Sequence, residues 1–240
     1  MNRPIERLLA TILLLVLLSS AAFTALGEPA GPNIIFNSTE TPTPQPAASI
    51  TTAGGSFTTL LLNATTQTMR WKAYVGNVTG NFKLQDASNY SIYDWNITTI
   101  GGEVYASRNS SISWADIRCA ANSTLQTEQI GLNITTTKED SINRTFGSTV
   151  HRGFYVGTRL ISNSTCRAIA TYVNNTKQTA SESASFQEIL LDDTQRLVYV
   201  TLLDGKKQGY NNGLFDFQLI VAESEYNAQP SPYYFWVELS

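Results

Sequence analysis

Eleven asparagines open Asn-x-Ser/Thr triplets: Asn37, Asn63, Asn77, Asn89, Asn96, Asn109, Asn122, Asn133, Asn143, Asn163 and Asn174, none with Pro in the middle position. In an exported chain each such triplet is an acceptor for an N-linked glycan. Ser and Thr make up roughly a fifth of the chain, so chance would supply only about four triplets. The triplets end at Asn174, and the residues beyond it are the most apolar and strand-like of the sequence. Two readings of that boundary stand: the C-terminal strands form an inner sheet or an interface, or core strands simply contain few asparagines.

The remaining residues with chemical potential are few. Cys119 and Cys166 are the only cysteines, and in an oxidising compartment they can close a loop whose chain-entropy contribution is roughly 4 kcal/mol. Two unpaired buried thiols are the alternative. A metal centre lacks its parts, because there is no Cys-x-x-Cys and the only histidine is His151. A serine triad would have to use His151 without a Gly-x-Ser-x-Gly elbow, and no zinc-protease, P-loop or dinucleotide motif is present. We therefore expect no catalytic residue, no metal and no cofactor. Asp94, Glu103, Glu188, Asp192 and Asp193 could supply a carboxylate pair for glycoside hydrolysis, although any exported β domain offers such a set. Asp192-Asp193 and the group Asp204, Asn211, Asn212 and Asp216 are rich enough in oxygen for Ca²⁺, but their spacing is not that of an EF-hand loop, and the turn preferences of Asp and Asn give the same composition. Tyr234 and Trp236 alternate with Tyr233, Phe235 and Val237. If the latter three face the core, Tyr234 and Trp236 are flat exposed rings suited to a sugar or a protein surface. Burial of both faces is the competing reading.

These residues need an export route and a scaffold. Arg3 and Arg7 precede an apolar run from Leu8 to Leu26 that ends in small residues, the layout of a signal peptide over 1–27. The run is also about the ~20 residues a membrane-crossing helix needs, so an uncleaved anchor through residues 8–26 is the alternative. Either way the rest of the chain is placed outside the cell, secreted or held at the membrane. Charged residues are 15% of the chain, against about 25% in ordinary domains. Polarity comes from hydroxyls and amides. With a net charge of -3 and no basic cluster beyond Lys206-Lys207, nucleic acid is excluded as a partner.

Residues 28–55 carry Pro29, Pro32, Pro42, Pro44 and Pro46 among Thr, Ser and Ala, an extended tether. One apolar island, Asn33-Ile34-Ile35-Phe36, interrupts it. From Ser56 the pattern is strands and turns: Met69, Trp71, Ala73 and Val75 alternate with Arg70, Lys72 and Tyr74, and Phe82, Leu84, Tyr93, Trp95 and Ile97 alternate with polar residues including Asp94 and Asn96. Ser113 to Ala121 predicts a helix with a Ser113/Asp116 capping box, and a second short helix is expected from Ser123, together a helical insertion over about 113–132. Ser185 to Leu191, Arg196 to Leu203, Leu214 to Val221 and Tyr233 to Leu239 predict strands, of which Leu190-Leu191 and Leu197 to Leu203 are apolar on both faces and hence central. The expected fold is mainly β: a single β-sandwich over 56–240 with Greek-key-like connections and the small helical insertion.

Several strings in this order, Arg70-Trp71-Lys72-Ala73-Tyr74-Val75-Gly76-Asn77-Val78, Ile92-Tyr93-Asp94-Trp95, Phe186-Gln187-Glu188-Ile189-Leu190-Leu191-Asp192, Phe215-Asp216-Phe217-Gln218 and Tyr234-Phe235-Trp236-Val237-Glu238-Leu239, resemble an uncharacterised group of archaeal secreted or membrane-anchored, N-glycosylated cell-surface proteins. The likeness covers about residues 56–240 and implies an archaeal envelope location, with no catalytic residues to carry over. The expected function is that of a non-enzymatic extracellular glycoprotein with a structural, adhesive, coat or filament role. The alternatives are a glycan- or protein-binding module and a secreted glycoside-acting enzyme. The expected partners are N-linked glycans, other surface proteins, or further copies of the chain through residues 33–39 docking as an added strand.

Overall fold

The computed structural model describes residues 28–224 and 230–240. The N-terminal apolar run and its signal-peptide or anchor reading lie outside them. Among the described residues no helix is long and apolar enough to cross a membrane. From Gly31 to Gln67 every residue is exposed, and the first strand begins at Trp71.

The elements in order are β1 Trp71–Gly76, β2 Asn81–Gln85, β3 Ser91–Asn96, β4 Gly102–Ser107, a 3-10 turn Trp114–Asp116, β5 Arg118–Cys119, α1 Asn122–Gly131, α2 Ile142–Thr145, β6 Phe154–Val156, β7 Arg159–Ile161, β8 Ala168–Ala170, β9 Gln187–Asp192, β10 Leu197–Leu202, β11 Lys207–Gln208, β12 Leu214–Phe215, β13 Phe217–Ala222 and β14 Tyr234–Leu239. The protein is mainly β, with a small helical part and several sheets. The largest sheet runs β14-β4-β10-β9, and the far edge of β9 carries β5 and, further along, β8.

Every residue of β9 and β10 is buried. Successive side chains of a strand point to opposite faces, so this requires cover on both sides. On one face Ile189, Leu191, Val198, Val200 and Tyr105 pack against Phe154, Val156 and Ile161 of the β6–β7 hairpin. On the other, Leu190, Leu197 and Tyr199 pack against Leu125 of α1, Ile142 of α2 and Leu219 and Val221 of β13. The apolar runs that predicted central strands are thus central. Of the C-terminal strands, β9, β10 and β14 share this sheet with β4, whereas β13 pairs with β1.

The β1–β13 ribbon lies across β10 and pairs Trp71 with Ala222 through Gly76 with Phe217. Tyr74 turns inward while Ala73 and Val75 are exposed, so the inward face of β1 is the one carrying Tyr74. Among the described residues the second edge of β13 has no neighbouring strand, and buried or half-buried polar side chains serve its backbone instead. Thr201 donates to the Gln218 carbonyl at 2.8 Å, Glu188 accepts from the Ile220 N–H at 2.9 Å, and the Tyr233 hydroxyl donates to the Ala222 carbonyl. Backbone groups left unpaired in an interior are costly, which is why polar residues occupy an otherwise apolar sheet.

Two expectations are corrected. The helix predicted over Ser113 to Ala121 is a single 3-10 turn followed by β5. Ser113 directs its hydroxyl to the Asp116 carboxylate at 2.8 Å and its N–H to Asp193 at 3.2 Å, so no capping box forms. Residues 118–119 instead pair with the open edge of β9, a non-local gain that outweighs weak local propensity. The helical part therefore begins at Asn122, near the second expected start, and includes α2. The strand predicted over Leu214 to Val221 is split at Asp216, whose carboxylate accepts the N–H groups of Val78 at 2.9 Å and Lys206 at 2.7 Å.

Cys119 and Cys166 form a disulfide with Cα atoms 4.9 Å apart. Cys119 lies opposite Leu191 and Ala168 opposite Ile189, while Ala120 donates to the Leu190 carbonyl and Leu190 to the Arg167 carbonyl. β5 and β8 are thus two pieces of one edge strand, interrupted by an excursion that carries both helices and the β6–β7 hairpin. The disulfide closes the base of that excursion.

Candidate glutamate-pair site

β4 and β14 pair with Glu103 opposite Glu238, Tyr105 opposite Trp236 and Ser107 opposite Tyr234. Directly opposed side chains share a face with Cβ atoms about 5 Å apart, so the two glutamates stand side by side at the end of a row that includes Tyr105, Trp236 and Tyr234. Gly102 begins β4 with φ +114°, and a Cβ there would meet the Glu238 carbonyl oxygen at 2.1 Å. Only glycine allows the strands to approach this closely at that point. The row ends in a cavity of about 260 Å³, lined among others by Glu103, Glu238, Arg152, Phe154, Tyr155 and Leu202.

The two carboxyl groups are treated differently by their surroundings. Glu238 accepts from the Tyr105 hydroxyl at 2.9 Å and from the Gly157 N–H at 2.9 and 3.1 Å. Burial still raises its pKa, and those donors offset part of the rise. Glu103 is 6% exposed, lines the cavity and has no hydrogen-bond partner among the described residues. Burial first, and then the adjacent Glu238 charge, push it up to about 8, with Arg152 opposing. At neutral pH Glu103 is therefore mostly a neutral acid, beside a Glu238 carboxyl that accepts from Tyr105 and Gly157, so the two surroundings favour a proton on Glu103. Arg152 is itself held by Asp204 at 3.0 Å and the Leu203 carbonyl at 3.0 Å.

The other candidate residues are scattered. Trp236 is partly buried and meets Trp114 edge-on at 5.4 Å, which in turn meets Tyr105 at 5.2 Å, whereas Tyr234 is 43% exposed. Glu188 is fully buried on the opposite face, its pKa driven well up by burial against the bond from Ile220. Asp94 lies on the β2–β3 hairpin, which is exposed along both strands; there Phe82 pairs with Trp95 and Leu84 with Tyr93 on one face, Asn81 with Asn96 and Lys83 with Asp94 on the other.

The oxygen-rich groups considered for Ca²⁺ are committed to protein donors. Asp192 receives bonds from the Ala121 N–H, Thr124, Arg118 and the Thr194 N–H, which outweigh burial and hold it below the usual carboxylate range. Asp193 is likewise lowered, against burial, by the backbone of Arg196, Ser113 and Gln195 and by the Arg196 side chain. Among the described residues no group of three or more His, Cys, Asp or Glu is placed to hold a metal ion. His151 is fully buried: its Nε2 accepts from the N–H groups of Thr165 at 3.2 Å and Cys166 at 3.0 Å, which puts the proton on Nδ1, donating to the Arg152 carbonyl at 2.8 Å.

Glu238 escaped the sequence reading, since its importance depends on the β4–β14 register. Its only signal is a position two residues after Trp236, on the same face of one strand. Fold and site together define a mainly β protein with a paired-glutamate cavity at one end of its central sheet. No protein-family model, curated protein or solved structure matches the chain.

Proposed function

We propose that the chain is a non-enzymatic extracellular glycoprotein of a cell surface, secreted or membrane-anchored, with a structural, adhesive or coat role. One observation carries this reading. None of the eleven triplet asparagines is buried, and none falls in β4, β9, β10, β13 or β14. Asn89, Asn133 and Asn174 occupy left-handed turn positions, with φ of 65°, 56° and 47°, where the asparagine side chain projects from the surface. Glycans there would supply solvation that the low charge content does not. The resemblance to archaeal surface proteins points the same way, and packing of the β1–β13 ribbon across β10 supports the finer description of the fold as a sandwich with Greek-key-like connections. The expected result is that native protein loses mass on deglycosylation corresponding to at least half of the eleven sites. A mass shift matching one or two glycans sinks the proposal.

A second reading, self-assembly, is favoured by the outer edge of β14. Among the described residues only Ala30 pairs with it, exchanging both backbone bonds with Val237 at 3.1 and 2.8 Å. Pro32 is the next position that would face this edge, and proline cannot donate to a ladder, so the pairing does not extend beyond Ala30 in that direction. Ile34, Ile35 and Phe36 remain 64%, 83% and 81% exposed. An open edge and an apolar extended segment are the two halves of strand addition between copies. Deleting residues 28–40 is expected to abolish concentration-dependent sedimentation of the full-length chain. Equal, monomeric sedimentation of both forms rules the reading out. An aromatic binding face with Tyr234 as its exposed ring and Trp236 behind it is a further use of the same surface, and a glycoside-acting enzyme remains the last alternative.

A further inference from the structure

We propose that the cavity at the Glu103–Glu238 pair is a binding site for a single neutral sugar ring. The inference stands apart from the glycoprotein reading, since it concerns a recessed site and not attached glycans. Three observations lead to it. The first is Glu103, a carboxyl 6% exposed that lines the cavity with no hydrogen-bond partner among the described residues. Buried polar groups are almost always satisfied, and one that faces a cavity without a protein partner is satisfied by what enters it.

The second is size. A volume of about 260 Å³ far exceeds the ~10–15 Å³ that one water requires and lies near the lower end of small-molecule pockets, about 300 Å³. It suits one ring and not a chain of them.

The third is the chemistry of the wall. Glu238 accepts from Tyr105 and Gly157 and has lone pairs beyond those, so an anion would meet acceptor oxygens there. A cation would meet the Arg152 guanidinium and only two carboxyl groups, fewer oxygens than a hard divalent ion takes. A neutral ring with hydroxyls can donate to Glu238 and both donate to and accept from Glu103. Its C–H face can rest on Tyr155, 57% exposed, with Phe154 and Leu202 alongside.

The test uses the full-length protein and saturation-transfer NMR with glucose, galactose, mannose and N-acetylglucosamine, each titrated to tens of millimolar. At least one sugar is expected to receive transfer at its ring protons with saturable binding. Glu103→Leu should weaken it at least tenfold, and Glu103→Gln, which keeps a donor and an acceptor, by no more than about threefold. Tyr155→Ala, at an exposed position outside both core clusters, should weaken it at least fivefold and serves if Glu103→Leu does not fold. Asp94→Asn, on the β2–β3 hairpin and not among the residues that line the cavity, should change nothing. Absence of transfer to all four sugars overturns the proposal. So does binding unaffected by Tyr155→Ala and Glu103→Leu, or binding of Ca²⁺ or acetate at Glu103 with no sugar bound.

Discussion

The protein should be more stable towards denaturant at pH 5 than at pH 8, and Glu103→Gln should remove much of that difference. Glu103 is raised from 4.5 to about 8, by burial first and then by Glu238. Glu188 is raised well above its ordinary value by burial, and Glu128 and Glu238 are raised as well, again chiefly by burial. A carboxyl raised in the folded state holds its proton there at a pH where the unfolded chain has released it. Its contribution is complete below the unfolded value and is lost as pH rises through the folded one. For Glu103 the window runs from about 4.5 to about 8, and one pKa unit is about 1.4 kcal/mol, so this group alone accounts for a loss of about 3–5 kcal/mol. Asp140, Asp192 and Asp193 are lowered, with hydrogen bonds overcoming burial in each case. Their contributions are present above the unfolded carboxylate value and vanish as pH falls through the folded one. The two sets together place the maximum at acid pH, close to the ordinary carboxyl values of 3.8 and 4.5. Denaturant midpoints followed by tryptophan fluorescence at half-unit pH steps give the curve. Stability that rises from pH 5 to 8, or wild-type and Glu103→Gln curves that stay parallel, would falsify the assignment of Glu103 as a neutral acid.

Replacing both Cys119 and Cys166 by Ser should cost about 4 kcal/mol, the chain entropy of a loop of this length, with cysteines 47 positions apart. The loss should not be uniform. The excursion between the cysteines holds α1, α2 and the β6–β7 hairpin, whose ends meet the sheet only through the short strands β5 and β8. Hydrogen exchange of the double variant should show amides of α1 and the hairpin losing protection while β9 and β10 keep theirs. A drop of less than about 1 kcal/mol, or equal loss of protection throughout, would contradict the role given to the bridge.

Legibility in the sequence followed the range of the interactions involved. Leu190-Leu191 and Leu197 to Leu203 announced strands covered on both faces, because a short run that is apolar without alternation has no side that water can solvate well. The cysteine pair was readable because only two exist. Ser113 to Ala121 misled because its helical spacing is local, whereas the pairing of Arg118 and Cys119 with β9 spans more than seventy residues. β6, β7, β8, β11 and β12 are two or three residues long, too short for any period to emerge. Glu103 stood among the acidic candidates, but its partner Glu238 is 135 positions away, a juxtaposition that strand order alone creates. The same holds for Glu188, Thr201 and Tyr233, whose service to β13 has no trace in local sequence.

The interrupted edge strand has a consequence for how this chain can change over time. It leaves the sheet after Ala120 and returns at Arg167, both hydrogen-bonded to Leu190, with the cysteine Cα atoms beside them only 4.9 Å apart. For the backbone pairing at that edge, all that is required of the material between is that its ends arrive together, while Phe154, Val156 and Ile161 on one face and Leu125 and Ile142 on the other still have to cover β9 and β10. Closing a longer loop costs only about 0.6 kcal/mol per doubling of length. Within residues 121–165 it is therefore the connections between those covering side chains whose length is loosely constrained. Descendants of this fold are free to vary the length of those connections and the acceptor triplets at Asn122, Asn133, Asn143 and Asn163, while the covering side chains, β9 and β10 stay where they are.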